Sequence, residues 1–217
     1  MKKVLSSIIP VLFAVSGFCQ NLQPVKLDND VTVSMFPDFQ KKDTLNQTTW
    51  SANAMDGYMI VIRQVNAKDN SPLKKASDLN KVLKTYIKGI QAQSYNSVAA
   101  NVRDTTIGQI KAKVFTLETD NGGDVTFRDF LLLYTQDVTY TFQYVYSNNT
   151  QEYAKKEGKV FFSSIRLGSD LSWNDQYQSR ATGLSTVNKI EIFGGGALVL
   201  VLVIVLVTRK KKPALDY

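Results

Sequence analysis

The sequence predicts an α+β protein, an antiparallel sheet with helices packed on it, followed by one C-terminal transmembrane helix. Three observations predict it. Seven segments alternate with the two-residue period of strands, two others repeat apolar residues at the helical period, and Ile192 to Val207 run for sixteen residues without a charge.

The chain opens MKKVLSSIIPVLFAVSGFCQ. Lys2 and Lys3 precede an apolar run from Ile8 to Val15, and the small residues Gly17 and Cys19 stand ahead of Gln20. This is the layout of a secretory signal peptide, residues 1–19, cleaved between Cys19 and Gln20. The apolar run is too short to span a bilayer comfortably. The rival is a lipoprotein signal acylated on Cys19, against which Phe18 stands where such signals carry a small residue.

An extracytoplasmic domain is expected over residues 20–167. Alternation and β-branched or aromatic content give strands at Val31 to Phe36, Thr48 to Ala54, Tyr58 to Val65, Val98 to Thr105, Ile110 to Glu118, Val125 to Tyr134 and Thr139 to Tyr146. Asp56-Gly57 and Asn121-Gly122-Gly123 read as tight turns in which glycine supplies a positive φ. A first helix is expected from Asp78 to Gln93, capped by Ser77. Its inner stripe is Leu79, Val82, Leu83, Tyr86, Ile87 and Ile90, and Lys81, Lys84 and Lys88 lie opposite. A second helix should start at Thr150 with Asn149 as cap and Glu152 completing the capping pair, turning Tyr153, Val160 and Phe161 inward.

Residues 168–189 are polar and aperiodic and read as a stalk, with Trp173 and Tyr177 as its apolar exceptions. The span covers 190–208, and Arg209, Lys210, Lys211 and Lys212 follow at once, which places the tail 209–217 in the cytoplasm by the positive-inside rule. Alternating Val and Leu would suit a strand in water, but a lone strand in lipid leaves its amides unpaired. The glycines at 194–196 followed by an apolar run and a basic end also resemble a bacterial sorting signal. The closing PALDY departs from that pattern, so a permanent anchor is the reading carried forward.

A net charge of +7 invites nucleic acid, but its distribution argues against that partner. The leader holds two of the positive charges and the C-terminal tail a net three, whereas residues 20–189 carry 20 basic and 17 acidic groups. There is no histidine, and Cys19 is the sole cysteine. Histidine-based triads, His-ligated metals, zinc ribbons and disulfide scaffolds are thereby disfavoured, and no metal or cofactor is implied.

An enzyme would have to use carboxylate, lysine, serine or tyrosine. The nearest acidic pairs are Asp28 with Asp30 and Asp120 with Asp124. Both suit turns at least as well as a hydrolase, and neither has calcium-loop spacing. Lys74-Lys75 and Lys155-Lys156 have no accompanying Ser-Lys motif, and Gly122-Gly123 lacks the lysine and helix of a phosphate cradle. Tyr140, Phe142, Tyr144 and Tyr146 share one face of a strand. They are either a ligand- or glycan-binding surface or, as a sandwich requires, a covered core row. Lys81, Lys84 and Lys88 are likewise either a docking rail for an acidic partner or lipid, or the solvated side of a helix.

The order of elements, with VTVSMFPDF at Val31 to Phe39 and DFLLLYTQDVTYTFQYVYSNN then KKEGKVFFSSIRL between Asp129 and Leu167, resembles the PsbP-like α/β/α sandwich family of PsbP/DcrB type. The resemblance covers about residues 31–167 and is one of pattern, so it implies a fold and carries no activity residue by residue. Members of that family are mostly binding or assembly factors. The expectation is therefore a non-catalytic, single-span module of the bacterial envelope, its domain outside the cytoplasm, engaging an envelope protein. The alternatives are a receptor using the aromatic face and, more weakly, a carboxylate-dependent hydrolase.

Overall fold

A computed structural model describes residues 22–67 and 72–178. In chain order it contains β1 (Gln23–Lys26), β2 (Val31–Met35), β3 (Gln40–Asp43), β4 (Gln47–Asn53), β5 (Tyr58–Val65), α1 (Ala76–Ala92), β6 (Ser97–Ile107), β7 (Ile110–Asp120), β8 (Val125–Tyr134), β9 (Val138–Ser147), α2 (Gln151–Ser163) and β10 (Arg166–Leu167). Single 3₁₀ turns occur at Asn148–Thr150 and Trp173–Asp175. All strand pairings are antiparallel, in a three-stranded sheet ordered β1-β2-β10 and a seven-stranded sheet ordered β3-β4-β5-β9-β8-β7-β6. The expected α+β class is the observed one.

Alternation along the strands sends side chains to the two faces of the large sheet. On one face Trp50, Met59, Val61, Phe142 and Leu133 pack with Val31, Val33 and Met35 of the small sheet and Phe161 of α2. On the other, Ile60, Ile62, Phe115, Leu117, Phe130 and Leu132 meet Leu79, Val82, Leu83, Ile87 and Ile90 of α1. Two cores on opposite faces explain why β9 is buried at every residue from Val138 to Tyr144. A strand covered on both sides has no solvent face.

Three strands escape the sequence pattern because they are short and carry few apolar residues. β3 is Gln-Lys-Lys-Asp, exposed throughout, and its lysines suit an edge strand that must not recruit another chain. β1 carries Pro24, which cannot donate to a ladder, and β10 has two residues.

The helices also differ in detail from expectation. Helix α1 begins before Ser77, and Asp78, three residues into the turn, accepts the Lys75 N–H at 3.2 Å. At α2, Thr150 rather than Asn149 is the flanking residue, and its hydroxyl donates to the Asp56 carbonyl at 3.0 Å. Glu152 pairs outward with Lys156 at 3.0 Å. Tyr153 and Val160 are exposed, and the inner face is Ala154, Glu157, Gly158 and Phe161. That spacing is helical, but it includes a carboxylate and a glycine that hydrophobicity does not mark.

Residues 168–178, expected to open the stalk, belong to the globular unit. Gln176 is fully buried, its Oε1 accepting the Lys111 N–H at 2.8 Å and its Nε2 donating to the Lys111 and Tyr134 carbonyls at 2.7 and 2.8 Å. Tyr177 is buried against Trp173, and the Gln178 N–H reaches the Leu73 carbonyl at 2.9 Å. A glutamine that satisfies three backbone groups docks a polar segment without an apolar stripe. The globular unit thus reaches Gln178. The leader with its Cys19–Gln20 junction, residues 179–189, the span 190–208 and Arg209 to Lys212 lie outside the described residues. Among the described residues no helix is long and apolar enough to cross a membrane.

Gly57 is required for space rather than for φ. Positive φ occurs at Gly108, Gly122 and Gly123, as expected for the latter two, but not at Gly57. A Cβ on Gly57 would sit 2.5 Å from the Val145 carbonyl oxygen and 2.8 Å from the Tyr144 ring. A Cβ on Gly158, from the other side, would meet the same ring at 3.2 Å. Gly57→Ala is expected to lower stability by about 1–3 kcal/mol because backbone must move. Gly158→Ala should change it little, since a gain of about 1 kcal/mol in helix propensity offsets the tighter contact. Denaturant midpoints of the two variants check the contrast.

Candidate functional site

The aromatic row falls to the core. Tyr140, Phe142, Tyr144 and Tyr146 have relative exposures of 1%, 0%, 0% and 4%, so no face is left for a ligand. Each tyrosine uses its hydroxyl to hold a different carboxylate. Tyr140 donates to Asp28 in the β1–β2 loop at 2.6 Å, Tyr144 to Glu157 on α2, and Tyr146 to Asp129 on β8 at 3.2 Å. Burial first, and then the carboxylate partners of Tyr140 and Tyr144, push these phenols above their ordinary value. For Tyr146, burial and then the charge of Asp129 do the same. A phenol harder to ionise is a poor base or nucleophile and a good structural donor.

The acidic pairs are also structural. Asp28 accepts the Asp30 and Val31 N–H groups at 3.0 Å, the Tyr140 hydroxyl, and Arg63 Nε at 2.6 Å. Burial alone would raise its pKa, but the bonds from Tyr140, Arg63 and the two amides outweigh it and hold the carboxyl below the ordinary 3.8. Its ionised form therefore stabilises the fold above that value, and the contribution is lost as pH falls through the lowered folded pKa. Asp120 accepts the Gly122 and Gly123 N–H groups at 3.0 and 2.9 Å on an exposed turn, with Asp124 exposed beside it. They do not converge in a cleft. Lys81, Lys84 and Lys88 point outward on α1, and Lys88 borders a shallow hollow with Gln91, Ser97 and Val98. Among the described residues no group of three or more metal-ligating side chains occurs.

A concave feature that combines several cations with apolar surface lies elsewhere. Helix α2 and the small sheet cover the middle of the large sheet, leaving the β6–β7 corner of that face open. Between α2 and this corner runs a groove of about 570 Å³. Val114, Leu131 and Phe162 give it apolar surface. Arg103 stands on the β6 wall and Lys155 and Lys159 on the α2 wall, all exposed. The two lysines are four apart and so share one helix face. The groove's one acid, Asp129, is held by Thr116 Oγ1 at 2.6 Å and by Tyr146. Three cations against one carboxylate leave a net +2. Among the described residues no ion pair involves Arg103, Lys155 or Lys159.

Arg103 reaches this wall because of a bulge. Ala100 pairs with Thr116, and after a register shift Arg103 pairs with Val114. In unbroken register Val102 would oppose Val114 and Arg103 would face α1. The extra residue, with Asn101 at φ 55°, swings Arg103 to the α2 side, the kind of re-aiming that bulges perform beside binding sites. In the sequence Lys155 stands in a lysine pair without a Ser-Lys motif and Arg103 is one residue of an alternating strand, since alternation cannot locate a bulge.

No family model and no curated protein matches this chain. Among solved structures it is similar to a cyanobacterial PsbP (CyanoP) from Synechocystis, with a TM-score of 0.48 and 14% identity, over 76% of this chain and 99% of that one. The likeness is one of fold.

Proposed function

We propose that this protein is a non-catalytic binding or assembly module of the bacterial envelope, tethered by its C-terminal span, that docks a partner protein in the α2–β6 groove. The observation carrying this reading is the groove itself, an open trough with apolar surface and, on both walls, cations that form no ion pair among the described residues. The buried tyrosines and the carboxylates they bond are engaged in holding the fold, which takes those particular groups away from a histidine-free hydrolase. Eleven residues separate Gln178 from Ile190, and a chain of that length reaches at most about 40 Å. The tether thus keeps the domain close to the membrane surface, where a partner of the envelope is met laterally.

Affinity purification of the full-length chain from its native membranes in mild detergent tests this. The control is an anchor of residues 179–217 behind the same leader, which leaves out the segment 168–178 that belongs to the domain. A stoichiometric protein enriched at least tenfold over the control is the expected result. No enriched protein, or a purified full-length chain with turnover abolished by one point substitution, overturns it.

A further inference from the structure

We infer that the occupant of the groove is an acidic, extended peptide segment of the partner protein, an inference that rests on the docking function proposed above and specifies its chemistry. Charge sets the sign. With Asp129 already bonded by Thr116 and Tyr146, the groove presents Arg103, Lys155 and Lys159 to an incoming group without a competing free carboxylate. Apolar surface sets the second requirement. Half-buried Val114 and Phe162 reward side chains that a phosphate or a bare lipid headgroup lacks.

The backbone supplies the third. β6 is the edge strand of the seven-stranded sheet and has a neighbour only in β7, so its outer amides and carbonyls have no strand partner among the described elements, and the same strand carries one wall of the groove. An extended peptide satisfies such an edge with main-chain bonds, which neither a lipid surface nor a small anion can do. The opposite edge, β3, is four residues long and carries Lys41 and Lys42, the usual defence of an edge. β6, at eleven residues, has exposed Val98 and Val102, and its bulge turns Arg103 into the groove. The longer of the two edges is thus the one beside the groove.

The test places a photo-crosslinking amino acid at Ser163, an exposed residue of the groove lining, in the full-length chain in its native membrane, and maps the adduct by peptide mass spectrometry. A second series places it at Thr85 on the outer side of α1. The expected result is an adduct from Ser163, not from Thr85, to a protein segment dense in Asp and Glu. Its yield should fall at least tenfold in Arg103→Glu/Lys155→Glu/Lys159→Glu and stay unchanged in Lys81→Glu/Lys84→Glu/Lys88→Glu. Because the three groove cations are exposed and lack ion pairs among the described residues, the triple variant should keep the wild-type thermal midpoint, and Arg103→Gln alone gives a milder check. An adduct to lipid, to a second copy of this chain or to a segment without acidic residues overturns the inference, as does a yield indifferent to the groove charges. If a partner co-purifies but crosslinks elsewhere, the groove assignment falls while a binding function stands. If no partner co-purifies, both fall.

Discussion

Glu157→Ala is expected to destabilise the domain by about 3–4 kcal/mol, the largest loss from any single carboxylate in it. Glu157 is 2% exposed, and its oxygens accept the Tyr144 hydroxyl and the Met55 and Asp56 N–H groups, the latter two at 3.3 and 3.1 Å. Those three donors come from β9 and from the β4–β5 turn, so one side chain of α2 fixes the helix to two other elements. Alanine leaves the Tyr144 hydroxyl buried without its acceptor and opens a void beside the ring. Glu157→Gln should cost less, about 1–2 kcal/mol, because an amide oxygen still accepts the closer pair while its NH₂ faces the long contact to Met55. Tyr144→Phe removes the same bond from the other side. A double-mutant cycle on Tyr144→Phe and Glu157→Gln, read by urea unfolding, should give a coupling of about 1–2 kcal/mol. Additive losses would show that the hydroxyl and the carboxylate act separately and would sink this account of the node.

How far the sequence carried depended on whether periodicity reports the packing. β5 and β8 match their expected limits from end to end, and the buried side of α1 is the apolar stripe the helical period marks, with Tyr86 partly buried and within 3.3 Å of the Thr141 hydroxyl. Where polar groups do the packing, the pattern is silent. Gly57 and Gly158 matter because one ring lies between them, and Gln176 because three backbone groups converge on it. The aromatic row was legible as a row, and coverage by α2 and the small sheet decided it was core. The groove was not legible at all. Its cations come from stretches some fifty residues apart in the chain, brought together by the antiparallel return of β7 to β9 and by one bulge.

The same tyrosines make the fold sensitive to alkali, and the expected effect is large. Tyr140, Tyr144 and Tyr146 all titrate well above the ordinary 10 in the folded chain, raised first by burial and then by the carboxylates they bond or face. A raised folded pKa means the native state keeps a proton that the unfolded chain releases near pH 10. The unfolded state then binds fewer protons, so stability is fully present below pH 10 and declines as pH rises toward the folded values. Each retained proton is worth about 1.4 kcal/mol per pH unit, so three together remove up to about 4 kcal/mol per unit. Against a typical domain stability of 5–15 kcal/mol, unfolding should be complete by roughly pH 12 to 13. Circular dichroism and tyrosinate absorbance followed together should show ionisation of these rings arriving with the loss of structure in one transition. Tyr146→Phe, which removes one titrating group and only a 3.2 Å bond to Asp129, should lower the slope by about 1.4 kcal/mol per pH unit. If all the tyrosines instead ionise around pH 10 while the native spectrum persists, the three hydroxyls are not the buried donors that hold the loop, the helix and β8 to the central strand.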